Sequence, residues 1–266
     1  MISLVEGQGL CFVLDSADLL CGAALPEDYE AVVSARGDKF RDDFTRRCLY
    51  LGNKHAMPAE PGRTTVVVGT EYGNLAAMLR LQRLAAAGER RISAQQFPHA
   101  TTSSASVFLN IERGFTGGNA TLNAGALTPV VALLQGALHV NAYTDAASAV
   151  LAGDTYCAEA LDDVRKTAAD HQVVTPGVLW AGLRTGDDYE AVFSFGATAT
   201  ATGFPESGPI FRDRDENGRP DAEWNRAFLA YDFLTALKEL PVGASAVLQL
   251  SHDERSATVR VTRRRA

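Results

Sequence analysis

Cysteine is scarce in these 266 residues, and Cys11, Cys21, Cys48 and Cys157 are too widely spaced to form a CxxC pair or a Cys/His cluster. That usage fits a reduced, cytoplasmic chain with no metal and no cofactor. A basic excess is also missing. Lys and Arg number 25 against 32 Asp and Glu, and the formal net charge of -7 argues against nucleic acid or an anionic membrane as partner. The one cationic run, Arg263, Arg264 and Arg265, reads as a solvated tail. No stretch of about 18 uninterrupted apolar residues occurs, so no transmembrane helix is expected. The opening MISLVEGQGLCFVLD lacks the basic region of a secretion signal.

What is present is ordinary globular usage, 46% hydrophobic and 21% charged, with no linker that separates two units. One domain over residues 1–266 is expected. Residues 9–14 (GLCFVL) and 64–69 (TTVVVG) are short β-rich runs. GTEYGN (69–74) then gives a turn, and Leu75, Met78, Leu79 and Leu81 lie near helical spacing before Gly88. The pattern recurs with a helix over 101–113 ending at Gly114, a strand at 119–123, and an apolar helical stripe of Leu127, Val130, Val131, Leu134 and Leu138. AASAVLAGD (146–154) reads as a strand buried on both faces. Further on, 190–203 alternates like a strand, 204–222 is a polar loop, and a helix over 223–240 precedes two strands joined at His252, Asp253 and Glu254. Alternating strands and helices imply an α/β fold with a largely parallel sheet.

The order Phe97-Pro98, small-residue helix, GFTGGN (114–119), TLNAGALTP (121–129), helix and AVLAGD (149–154) resembles the N-terminal half of the β-ketoacyl synthases, members of the thiolase-like superfamily. GTEYGN and SAQQFP (93–98) extend the match, which is clear over roughly 60–160. The resemblance implies a thiolase-like layered α/β/α fold with a truncated C-terminal half. It also implies a turn that presents a nucleophile at a helix N-terminus, where backbone N–H groups and the helix dipole favour a thiolate and an oxyanion.

Laid on that turn, the chain has Ala126 where the family has cysteine, with Gly125 before it and Leu127 and Thr128 after it. A methyl group has no lone pair and cannot attack a thioester. Thr128 is the nearest hydroxyl and reads as a helix cap with no adjacent base. None of His55, His99, His139, His171 and His252 sits in a segment like the family's two histidine motifs. The resemblance therefore implies a chain unable to perform decarboxylative condensation. It points instead to a noncatalytic, chain-length-factor-like subunit of polyketide or fatty-acid biosynthesis that pairs with a ketosynthase or with itself. Acyl carrier protein is a possible further partner, and Phe97, Gly125, Ala126 and Leu127 are the candidate substrate contacts. The alternative is an acyl-thioester enzyme with other chemistry, an isomerase, dehydratase or hydrolase, using His99 or an unplaced carboxylate as base.

Four weaker signals complete the reading. Asp213, Asp215, Asn217, Gly218 and Asp221 open like a calcium loop, but position twelve is Trp224 and Pro220 precedes Asp221, so a solvated acidic loop is expected. Cys157 precedes a helix and reads as an inert thiol away from the nucleophile turn. Arg80, Arg83, Arg90 and Arg91 read as a solvated helix face, or as a basic face for an acidic carrier protein. Phe97, Leu127 and Phe195 are the candidate plugs of an acyl pocket.

Overall fold

The computed structural model describes residues 9–57, 59–88, 92–197, 208–215 and 219–265. In chain order the strands are β1 (Leu10–Cys21), β2 (Thr64–Gly69), β3 (Asn119–Leu122), β4 (Ala147–Asp154), β5 (Gly177–Ala197), β6 (Ile210–Arg212), β7 (Ser245–His252) and β8 (Arg255–Arg263). The helices are α1 (Tyr29–Val32), α2 (Asp43–Lys54), α3 (Leu75–Ala86), α4 (Ser104–Arg113), α5 (Thr128–Ala142), α6 (Ala158–Thr167) and α7 (Arg226–Glu239).

The strands form one sheet in the order β3-β2-β4-β5-β8-β7-β6, with β1 also paired to β5. The part that carries the elbow is parallel: β3, β2 and β4 run the same way. Strand β5 is antiparallel to β4, β1 and β8 and joins the two halves. β6 and β7 run parallel again at the far edge.

The layering follows from the side chains. All six residues of β2 and all eight of β4 are buried, because helices cover both faces. Val66, Val68, Leu151, Val178 and Trp180 face Phe44, Leu49, Leu51 and Leu109 of α2 and α4. Val67, Val150, Ala152 and Leu179 face the other way, onto Val130, Leu133 and Ala137 of α5 and Phe233, Leu234 and Leu237 of α7. This is the α/β/α arrangement implied by the sequence. In the second half, Ala246, Leu248, Leu250, Ala257, Val259 and Val261 supply the core face of the β7–β8 hairpin. Ser245, Gln249, Ser251, Ser256, Thr258 and Arg260 alternate with them.

Local signals fix the element ends. Asp42 caps α2 by accepting the Thr45 N–H at 2.9 Å. Gly114 closes α4 at φ 66°, and Pro129 sits in the first turn of α5. The 18-residue window Gly125–Ala142, of mean hydropathy 1.2, has the length and composition of a membrane span, although no uninterrupted apolar run suggested it. In the fold this segment is the elbow and the central helix α5, and more than half of it is buried.

Candidate functional site

The elbow between β3 and α5 is set by its own side chains. The Gly125 N–H donates to Asn123 Oδ1 at 2.9 Å, and Gly125 lies at φ 56°, which a residue without a β-carbon adopts freely. Thr128 Oγ1 donates to the Gly125 carbonyl at 2.6 Å and accepts the Ala124 N–H at 2.9 Å. Asn123 Nδ2 donates to the Glu71 carbonyl at 3.0 Å, which ties the elbow to the turn after β2.

Around it lies a cleft of about 40 Å³, lined by Gly125, Ala126 and Thr128 from the elbow, and by Glu71, Asp154, Tyr156, Asn225, Arg226 and His252 among others. Asp154, at the end of β4, accepts the Thr70 hydroxyl at 2.6 Å and the Tyr72 and Glu71 N–H groups at 2.7 and 2.9 Å on one oxygen. Burial still pushes its carboxyl up to about 6 against those donors. Glu71 is pushed up to about 7 by burial and by the Asp154 and Asp163 charges. Tyr156 is also raised, through burial and the neighbouring carboxylates. Asn225 caps α7 by accepting the Ala227 N–H at 3.1 Å, and its amide reaches the Gly177 carbonyl of β5 at 3.0 Å. Arg226 is 3.5 Å from Asp213 and donates to the Glu223 carbonyl at 2.6 Å. His252, from the β7–β8 hairpin, packs directly on Gly125. The cleft has room for a few water molecules at most.

No protein-family model matches the chain. The curated 3-oxoacyl-[acyl-carrier-protein] synthase I, chloroplastic, of Hordeum vulgare is 29% identical over 142 residues, which cover 48% of this chain and only 30% of that protein. Among solved structures, the ishigamide ketosynthase/chain length factor aligns with a TM-score of 0.73 at 14% identity, over 90% of this chain and 86% of that one. The ketosynthase (ApeO) in complex with its chain length factor (ApeC) from Xenorhabdus doucetiae aligns with a TM-score of 0.59 at 12% identity, over 96% of this chain and 100% of that one. A β-ketoacyl synthase from Burkholderia phymatum STM815 gives 0.65 at 9% identity, over 92% and 87% of the two chains. The chain has the thiolase-like fold of the ketosynthases.

Within this ketosynthase-like fold the residues singled out in the sequence do not all meet. Gly125, Ala126 and Thr128 line the elbow cleft. Leu127 points into the core and is buried. His99 lines a different and larger groove, stacked on Phe108 with ring centroids 4.5 Å apart. Phe97 is exposed, because the short 3-10 turn 94–99 turns it outward, and it does not line the cleft. Phe195 is also exposed, in register with Ala257 of β8. Thr128 is not the cap expected from the sequence: Leu127 holds the cap position of α5 without a side-chain bond, and the Thr128 hydroxyl instead ties the first turn back to the Gly125 carbonyl.

The loop that begins like a calcium site is built otherwise. Asp213 is buried, accepts the Ser251 N–H at 2.9 Å and faces Arg226, while Asp215 accepts the Arg219 N–H at 2.8 Å; Asn217 and Gly218 lie outside the described residues. Cys157 precedes α6 as its half-buried cap residue. Arg80 donates to the Phe40 carbonyl at 2.7 Å and Arg83 pairs with Glu159, whereas Arg90 and Arg91 fall outside the described residues. Sequence reasoning missed Glu71, Arg226 and the placement of His252. The AGD ending of β4 was the one signal for Asp154.

Proposed function

We propose that the chain is a noncatalytic ketosynthase-like subunit of a polyketide or fatty-acid pathway, acting as one cytoplasmic domain that pairs with an active ketosynthase in the manner of a chain length factor. The observation that carries this reading is the elbow. Ala126 stands at the turn into a buried helix, the cleft there is about 40 Å³, and His252 covers Gly125. A cleft of that size holds no acyl chain, and no thiol lines it. The ketosynthase and chain length factor complexes among the structural neighbours support the pairing role. So does β3, which pairs only with β2 among the described strands and leaves an edge that invites a partner.

Gly125 and Ala126 are then the remnant of a nucleophile elbow, and acyl carrier protein is a partner of the complex. The test is reconstitution with a type II ketosynthase. Native mass spectrometry is expected to show a one-to-one heterodimer, and the ketosynthase's product length is expected to change when the chain is present. A monodisperse monomer that ignores ketosynthases would overturn the proposal.

A second reading has one observation in its favour: Glu71, raised to about 7, lines the cleft and is poised as a general base near neutral pH. This is the acyl-thioester enzyme with non-condensing chemistry. Turnover of an acyl-thioester that is abolished by Glu71→Gln would favour it over pairing alone.

A further inference from the structure

A groove of about 1000 Å³ lies apart from the elbow cleft and shares no residue with it. One wall is apolar and aromatic. His99 is stacked on Phe108 at 4.5 Å and tilted against Phe40 at 5.8 Å, and Ile111, 68% exposed, extends the surface along α4. Burial and the nearby Arg41 and Arg80 charges hold His99 below the usual histidine range, so its ring belongs to the neutral wall.

The charges of the groove divide into spent and unspent ones. Glu112, its single lined acid, accepts from Arg41 at 2.6 Å and from Asn53 at 2.7 Å. Arg113 donates to the Gly52, Asn53 and His55 carbonyls. Arg36 and Lys39 are exposed, both line the groove, and neither forms an ion pair with a described residue. Lys39 Nζ lies over the Phe40 ring, 4.9 Å from its centroid. The lining charges without an ion pair are therefore both positive, and they line an aromatic trough whose size suits a ligand.

We propose that this groove binds a free acyl chain ending in a carboxylate, with the carboxylate held by Arg36 and Lys39 and the chain laid against Phe40, His99, Phe108 and Ile111. Both parts of the lining are needed: the cations select the anion, and the exposed apolar surface supplies the gain from burying the stem. The inference does not rest on the pairing role, because groove and cleft are separate.

The test uses decanoate below its micellar concentration, titrated into the whole chain by calorimetry, with the His99 imidazole proton resonances followed in parallel. One molecule is expected to bind and to shift the His99 signals. Arg36→Gln with Lys39→Gln is expected to weaken decanoate at least about tenfold, a change of about 1.4 kcal/mol. Decanol is expected to be indifferent to that pair of changes, and Ile111→Asp to weaken both. The proposal is overturned if decanoate does not bind, if it binds without moving His99, if the double substitution leaves its affinity unchanged, or if decyl phosphate binds more tightly and so assigns the head to phosphate. A circular dichroism spectrum of each variant separates lost binding from lost fold, and loss of ketosynthase pairing would leave these outcomes untouched.

Discussion

His252 Nε2 occupies the space that a side chain on Gly125 would need: a β-carbon there would lie 2.5 Å from it. The two residues come from the middle and the C-terminal part of the chain, and their contact closes the elbow. Gly125→Ala combines that clash with a positive φ, so it is expected to destabilise the fold by more than the about 1–2 kcal/mol that the φ alone costs, the excess being what it takes to displace the half-exposed His252 ring. In a His252→Gly background the clash vanishes and the conformational part remains, about 1–2 kcal/mol. Urea unfolding of the four chains of this cycle measures the coupling. Additive effects would show that the two residues do not touch.

Asp154 gives the fold a pH dependence whose sign is fixed by its raised carboxyl. Its folded value is about 6 against an ordinary 3.8, so between those values the folded state keeps a proton that the unfolded chain has released. Stability from this group is full below about pH 4, is lost as pH rises toward 6, and stays lost above it; the total is roughly 3 kcal/mol. Asp154→Asn keeps an oxygen to accept from Thr70 and the Tyr72 N–H while removing the buried charge. Thermal unfolding from pH 4 to 8 is expected to show a flatter profile and a higher Tm at pH 8 for the variant. A lower Tm at pH 8 would mean that the ionised form is the one the donors stabilise.

The elements most legible in the sequence were those whose residues satisfy one local rule. TTVVVG and ASAVLAGD are continuous apolar runs and became β2 and β4; the stripe from Val130 to Leu138 became α5. The first thirteen residues of β5 escaped notice because Gly182, Arg184, Gly186, Asp187 and Asp188 break both alternation and apolarity. They are held in the sheet by partners distant in sequence, such as Arg184 with Asp15 of β1 at 2.7 Å. The second half of β1 was hidden likewise, since Asp18 makes sense in a strand only beside Lys54 and His55, both 2.9 Å away. His252 read correctly as a hairpin residue. That the hairpin would deliver it to Gly125 depends on how β5 places the second half against the first, which no local pattern encodes.

Helix α2 offers a case where intrinsic propensity and packing oppose each other. Gly→Ala in a helix normally stabilises by about 0.5–1 kcal/mol. At Gly52, however, a β-carbon would collide with the δ-carbons of Leu109, which is fully buried where α2 crosses α4. Overpacking of that kind costs about 1–3 kcal/mol, so Gly52→Ala is expected to be destabilising. A denaturant midpoint above that of the parent chain would show that α4 yields easily at this crossing.

Restoring sulfur at the elbow tests what the closed cleft withholds. Ala126→Cys places a thiol at the N-terminal end of α5, where the helix dipole favours the thiolate, yet the surrounding space is about 40 Å³ and His252 lies over Gly125. Access rather than acidity should then govern reactivity. Iodoacetamide labelling, read peptide by peptide, is expected to be at least about tenfold slower at the new thiol than at Cys21, which is exposed. Adding His252→Gly removes the cover and should bring the rate up toward that of Cys21. Neither variant is expected to decarboxylate a malonyl thioester, because no second histidine lines the cleft to stabilise the carbanion. Rapid labelling of Ala126→Cys alone would mean that the elbow is open in solution and that an acyl chain has a way in.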